Sequence, residues 1–156
     1  MLFLHSIPLS WSLMMNLSFR EKSLGLLVLS LIVIFGFYFA SVLPAQFTNV
    51  MPSHIMSFIG MLILLIVIQI IGNTLIAIAS RRELAAKVLS DERDALINLT
   101  SSRLGSYVLS FGVSCSLCIA LFVPGNFAFV HTLLAFWVLS QVVETVSQLI
   151  LYRRGV

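Results

Sequence analysis

The chain has 156 residues, of which 60% are hydrophobic and 10% are charged, and its formal net charge is +3. With a mean hydropathy of +1.09, this composition excludes a soluble domain, because a core of this size cannot bury so many apolar side chains. The basic excess does not indicate a nucleic-acid partner. The Lys and Arg residues are placed as topology signals and favour contact with the surface of the lipid bilayer.

The first 22 residues form a cytoplasmic or interfacial leader before the first long apolar segment. Residues 1–14 contain no Lys, Arg, Asp or Glu, and they are too short to span a bilayer. We expect them either to lie in the membrane interface or to precede a true start at Met14 or Met15. Arg20 and Lys22 then anchor the leader on the cytoplasmic side.

Four apolar segments each reach the length of about 20 residues that a helix needs to cross the hydrocarbon core. These spans are 23–43, 55–78, 104–123 and 127–151. They form a single transmembrane domain over 23–152, with a cytoplasmic tail at 153–156. Lys and Arg flank the spans on one side only, and basic residues mark the cytoplasmic side. The sequence therefore predicts an all-α membrane protein with four transmembrane helices and both termini in the cytoplasm.

The connection between the second and third spans is predicted to be a short cytoplasmic helical hairpin. The second span continues past the membrane, where Glu83 and Lys87 form a favourable i, i+4 pair. Ser90 then caps a new helix with acids in its first turn, and this helix runs directly into the third span. On the external side, Pro124 and Gly125 suit the two central positions of a type II turn between spans three and four.

One candidate site consists of polar side chains at membrane depth. Glu144 is the one charged residue inside a predicted span, and it shares a helical face with Gln141 and Gln148. Counting inward from the basic anchors places further polar residues at similar depth, namely Ser30, Gln69, Asn73 and Ser110. Two interpretations are open. The residues form a pocket that binds a proton, a cation or another ligand around Glu144, or they form a layer of interhelical hydrogen bonds that holds the helices together.

A second candidate site lies just before the third span, where acidic and basic side chains are mixed. It consists of Asp91, Glu92, Arg93, Asp94 and Arg103. A mixed-charge helical surface at the headgroup level can dock a soluble protein partner, and it can equally brace the helices. A divalent-cation site is disfavoured, because adjacent residues on a helix point in different directions.

The residue types that bind metals do not form a ligand pattern. Cys115 and Cys118 lie at i, i+3 inside the third span, where hydrocarbon surroundings favour packing over redox chemistry. His54 and His131 lie at the external ends of spans two and four, and no further ligand accompanies them. We therefore predict no metal, no cofactor and no enzymatic activity.

The stretch from Asp91 to Leu109, DERDALINLTSSRLGSYVL, resembles a signature of an uncharacterised family of small four-helix bacterial inner-membrane proteins. The matching positions are Asp91, Glu92, Arg93, Asp94, Ile97, Arg103, Tyr107 and Leu109, whereas Thr100 departs from the basic residue usual there. The resemblance covers residues 15–156. It implies a location in the bacterial inner membrane. Genes of this family are often found beside small helix-turn-helix regulators, which is consistent with a membrane protein that holds or releases a cytoplasmic protein partner.

Three functions are compatible with these features. The first is a non-enzymatic regulatory or interaction protein that engages a cytoplasmic partner through its hairpin. The alternative is a small dimeric transporter, coupled to ions or protons, that uses Glu144 as its intramembrane carboxylate. A third is an electron-transfer or haem subunit that uses His54 and His131. In each case, a unit of four helices is expected to form a homodimer or to join a larger membrane complex.

Overall fold

A computed structural model of the chain describes residues 19–45, 49–79 and 91–154. Within these ranges the structure is all-helical. Its elements are α1 (Phe19–Val42), a 3-10 turn (Leu43–Ala45), α2 (Pro52–Ala79), α3 (Asp91–Phe122) and α4 (Phe127–Arg154). Each of the four helices is long and apolar enough to cross a membrane. The prediction of four helical spans is therefore confirmed, and the fold is that of a multi-pass helical membrane protein.

The helices extend beyond the predicted spans at several ends. α1 begins at Phe19, and α3 begins at Asp91, so the helix predicted to run into the third span is part of one 32-residue helix. Pro52 opens α2, a position where the missing N–H removes no helical hydrogen bond. Gly125, between α3 and α4, has a φ of 87°, the left-handed value that the third position of a type II turn requires. The leader before Phe19 and the hairpin residues 80–90 lie outside the described residues.

The four helices pack side by side in the order α3, α4, α1, α2. α4 is the central element, because α3 and α1 contact different faces of it. Phe136 and Ser140 of α4 meet α3, whereas Leu134 and Val138 meet α1. α2 packs on α1 and has the least buried apolar segment of the four. An outer helix with such an exposed apolar surface is suited to contact with lipid.

The layer has a charged end and an uncharged end. The charged end contains the starts of α1 and α3 and the end of α4, with Arg20, Asp94 and Arg154. The uncharged end contains the 3-10 turn, the start of α2 and the bend at Gly125. Glu144 lies between the two ends, within α4.

Candidate functional site

A continuous chain of side-chain hydrogen bonds joins α1 to α2. The Ser23 hydroxyl donates to Oδ1 of Asn73 at 2.5 Å, and Nδ2 of Asn73 donates to Oε1 of Gln69 at 3.3 Å. Nε2 of Gln69 donates to the Ser30 hydroxyl at 2.7 Å, which itself donates to the Leu27 carbonyl at 3.0 Å. We call Ser23, Ser30, Gln69 and Asn73 the amide ladder.

The amide ladder is a means of helix association. Lipid provides no hydrophobic drive between helices, so hydrogen bonds of this kind contribute to their packing. Both amide side chains use an oxygen and a nitrogen within the ladder, and every link runs in the same donor-to-acceptor direction. For Ser30, Gln69 and Asn73, these contacts favour the interpretation as interhelical hydrogen bonding over that of a ligand pocket.

Glu144 does not join the amide ladder, because it lies on the side of α4 that meets α3. A Cβ atom added to Gly105 would stand 3.1 Å from Cβ and 3.2 Å from Oε2 of Glu144. One turn away, the Ser140 hydroxyl donates to the Gly105 carbonyl at 2.9 Å. Among the described residues, the Glu144 carboxyl has no hydrogen-bond or ion-pair partner. Glu144 is therefore a half-buried acid at membrane depth, and no hydrogen bond or ion pair within the described residues offsets the cost of burying it.

The structure thus divides the polar layer predicted from residue counting into separate parts. Gln141 and Gln148 are half-buried on α4, on the same helical flank as Glu144. Ser110 is exposed on α3, and its backbone carbonyl accepts a hydrogen bond from the hydroxyl of Ser114 at 3.0 Å. Similar depth in the membrane did not bring these residues together, because they face different neighbours.

A stripe of small residues on α3 allows the close approach of α4. Its members are Ser101, Gly105, Gly112 and Ser116, and all four are buried. A Cβ atom on Gly112 would overlap with the side chain of Phe136. The sequence contains a detectable signal for this contact, since Ser101 and Gly105, and likewise Gly112 and Ser116, are small residues four apart. The interpretation based on polar and charged residues missed it.

A buried cluster of hydrogen-bonded rings lies at the uncharged end. The Tyr38 hydroxyl is 3.0 Å from Nε2 of His131, and Nδ1 of His131 is 2.8 Å from the Phe127 carbonyl. A carbonyl only accepts, so Nδ1 carries the hydrogen, and the neutral ring then accepts from Tyr38 at Nε2. His54 stands edge-on to His131 at 6.2 Å between ring centroids. Nδ1 of His54 accepts a hydrogen bond from the Met51 amide at 3.2 Å.

This ring cluster does not have the geometry of a metal site. Both nitrogens of His131 are engaged by protein groups, as is Nδ1 of His54. No group of three or more potential His, Cys, Asp or Glu ligands occurs in the described ranges. Cys115 is half-buried and Cys118 exposed, both as free thiols. The contacts of the two histidines favour a packing role over ligation of a haem or a metal.

At the charged end, a cluster of polar side chains ties three helices together. Arg20 of α1 forms a salt bridge with Asp94 of α3, and its guanidinium lies 5.3 Å from the ring centroid of Tyr152 of α4. The Tyr152 hydroxyl donates to Oδ1 of Asp94 at 2.9 Å, and Arg20 also reaches Oδ1 of Asn98 at 3.4 Å. We call Arg20, Asp94, Asn98 and Tyr152 the brace. Sequence reasoning identified Asp94 but missed its partners, which are distant along the chain.

The other residues predicted to bind a partner are placed differently from Asp94. Asp91, Glu92 and Arg93 form the first turn of α3, and their side chains lie outside the described set. Arg103 is exposed on the side of α3 turned away from α4. The predicted surface is therefore composite, because Asp94 has an internal structural role whereas Arg103 is directed outward.

Comparison of the chain with protein-family models, with curated proteins and with solved structures gives no match.

Proposed function

We propose that the chain is a non-enzymatic regulatory or interaction protein of the membrane that engages a partner at its charged end. The brace is the observation that carries this proposal. It connects α1, α3 and α4 through Arg20, Asp94 and Tyr152, so the start of α3 is held in a fixed position relative to two other helices. A fixed mixed-charge surface at the headgroup level is suited to docking a soluble protein.

The proposal places the charged end in the cytoplasm of a bacterial cell, with the protein in the inner membrane and both termini inside. The support is the distribution of Lys and Arg, which cluster before the first span, between the second and third, and after the fourth. Basic residues in short loops remain preferentially on the cytoplasmic side. The resemblance of 91–109 to a bacterial inner-membrane signature points to the same location.

The brace changes the role expected of Asp94. Its carboxylate is occupied by Arg20 and Tyr152, so it positions α3 and does not itself contact the partner. Direct contact is assigned to Asp91, Glu92 and the hairpin that precedes them. Mutation of Asp94 is therefore expected to affect partner binding indirectly, through the position of α3, whereas mutation of Asp91 or Glu92 removes a direct contact.

The experiment is crosslinking and affinity recovery of the tagged protein from native membranes, with mass spectrometry of the recovered proteins. Reversing Asp91 and Glu92 together to Lys is expected to abolish partner recovery while the membrane level of the protein stays unchanged. Asp94→Ala is expected to weaken recovery through loss of the brace. The charge swap Arg20→Asp with Asp94→Arg should restore part of it. Unchanged recovery after reversal of Asp91 and Glu92 would contradict the proposal.

A second function, a small dimeric transporter coupled to protons or ions, is favoured by one observation. The Glu144 carboxyl has no partner in the described part of the chain, and an uncompensated acid at membrane depth is typical of proton or ion pathways. Glu144→Gln is then expected to abolish proton or cation flux in vesicles, whereas Ser110→Ala, on the exposed side of α3, should not. Flux that persists in Glu144→Gln would remove this residue from any transport mechanism.

A further inference from the structure

The side of α3 turned away from α4 has a shallow hollow near the charged end. It is lined by Leu99, Ser102, Arg103, Ser106 and Tyr107, which recur at helical spacing on one side of α3. The opposite side of α3 packs on α4 through Gly105 and Gly112. The hollow thus lies on the outer surface of the helix layer, between the 9th and the 17th residue of the 32-residue α3, where the predicted third span begins.

Arg103 gives this hollow an uncompensated positive charge. It is exposed, and the described residues provide it with no ion-pair partner. Arg20, at the same end, is instead paired with Asp94. An unpaired guanidinium at the headgroup level attracts anions, and its planar set of N–H donors matches a phosphate group.

The neighbouring side chains complete a set of donors around Arg103. Side chains of a helix tilt toward its N-terminus, and the N-terminus of α3 is at the charged end, so Tyr107 extends from one turn deeper toward Arg103. Its hydroxyl and that of Ser102 have no hydrogen-bond partner in the described ranges. The Ser106 hydroxyl already donates to the Ser102 carbonyl at 2.8 Å. Two hydroxyl donors and the guanidinium therefore remain for a ligand.

We propose that this hollow binds the headgroup phosphate of an anionic phospholipid, with the Tyr107 ring against the start of an acyl chain. Charge complementarity and position along the helix select this occupant. A second copy of the chain, related by a twofold axis through the same face, would bring Arg103 close to its own counterpart, and like charges repel. The exposed side of α2 differs from this hollow, because its large exposed residues are Ile, Leu, Met and Val, which suit acyl chains but not a phosphate.

The test is native mass spectrometry of the full chain in detergent, titrated with phosphatidylglycerol or phosphatidylcholine of identical acyl chains. The wild-type protein is expected to retain phosphatidylglycerol preferentially. Arg103→Gln should weaken that binding about fivefold to tenfold, the effect of losing one charge and its hydrogen bonds. Arg154→Gln removes an exposed basic residue from the same end of α4 and should have little effect. Arg103→Lys should retain part of the preference.

Further measurements separate this proposal from its competitors. Tyr107→Phe keeps the ring and should weaken phosphatidylglycerol binding at least about twofold, through loss of one hydrogen bond. Excess inorganic phosphate should not displace the lipid, because it lacks acyl chains. Equal losses in Arg103→Gln and Arg154→Gln would overturn the proposal, as would displacement by phosphate. A lipid-independent dimer that Arg103→Gln alters would assign the face to a second copy instead. Helicity and monodispersity of each variant confirm that it folds.

Discussion

The Tyr38 hydroxyl lies 3.0 Å from Nε2 of His131, and this buried hydrogen bond joins α1 to α4 at the uncharged end. At the charged end, the same two helices meet where Arg20 lies over the ring of Tyr152. Between these points they pack through an apolar cluster that includes Phe35, which is 1% exposed. α1 and α4 are thus joined at both ends by polar contacts and along their length by apolar ones. This makes them the central pair of the layer.

Replacing Tyr38 by Phe should destabilise this central pair. The substitution keeps the ring but leaves Nε2 of His131 without its donor, in a side chain that is 3% exposed. A buried acceptor left without a partner costs about 1–3 kcal/mol. Thermal unfolding in detergent, followed by circular dichroism, measures the loss. Tyr107→Phe is the matched control, since Tyr107 is 70% exposed, and equal destabilisation by the two substitutions would contradict a structural role for the Tyr38 hydroxyl.

Gly112→Ala should separate α3 from α4. The added methyl group overlaps with Phe136, and overpacking of this kind costs about 1–3 kcal/mol. Gly36→Ala provides the control, because a Cβ at that position has no neighbour within 4 Å. Combining Gly112→Ala with Phe136→Ala should recover part of the loss, and the stabilities of the four proteins form a double-mutant cycle. Additive effects in that cycle would show that the two residues do not meet.

The helices could be predicted from the sequence because their signal is local. Length and hydropathy alone identify a span, and the four predicted spans coincide with the four helices. The neighbours of each helix could not be predicted in the same way. A 3.6-residue period shows which residues share a face, but it does not show which helix that face meets. Residue counting therefore assigns Ser110 and Glu144 to one polar layer, whereas in the structure Ser110 is exposed and Glu144 lies against Gly105.

The contacts of the brace could not be predicted from the sequence either. Asp94 stands in a dense charged motif, and this motif is compatible both with docking a partner and with bracing the helices. The bracing role of Asp94 depends on its contacts with Arg20 and Tyr152, which are 74 and 58 positions away along the chain. No local pattern connects them. Only the packing of α1, α3 and α4 brings the three side chains together.

Gln69→Leu should weaken the association of α1 with α2. The change removes the central link of the amide ladder, which leaves the Ser30 hydroxyl without a donor and Nδ2 of Asn73 without its acceptor. Interhelical hydrogen bonds in membranes contribute about 1 kcal/mol each, and the change removes one of them, from Gln69 to Ser30, together with the bond from Asn73 to Gln69 within α2. Thr74→Val is the control on the same helix, because the Thr74 hydroxyl bonds only to its own helix at the Ile70 carbonyl. Resistance to unfolding by a denaturing detergent should fall for Gln69→Leu and stay unchanged for Thr74→Val.

The salt bridge between Arg20 and Asp94 should contribute a coupling energy that depends on ionic strength. Their side chains are 30% and 17% exposed, so solvent and salt partly screen the pair, and we expect a coupling of about 0.5–1 kcal/mol at low salt. Arg20→Gln, Asp94→Asn and the double variant form the cycle, with thermal stability in detergent measured at low and high salt. The hydrogen bond from Tyr152 to Asp94 persists in Arg20→Gln, so Tyr152→Phe in that background isolates the remaining contribution. A coupling energy near zero at low salt would mean that Arg20 and Asp94 do not hold α1 to α3, and the brace would then depend on Tyr152 alone.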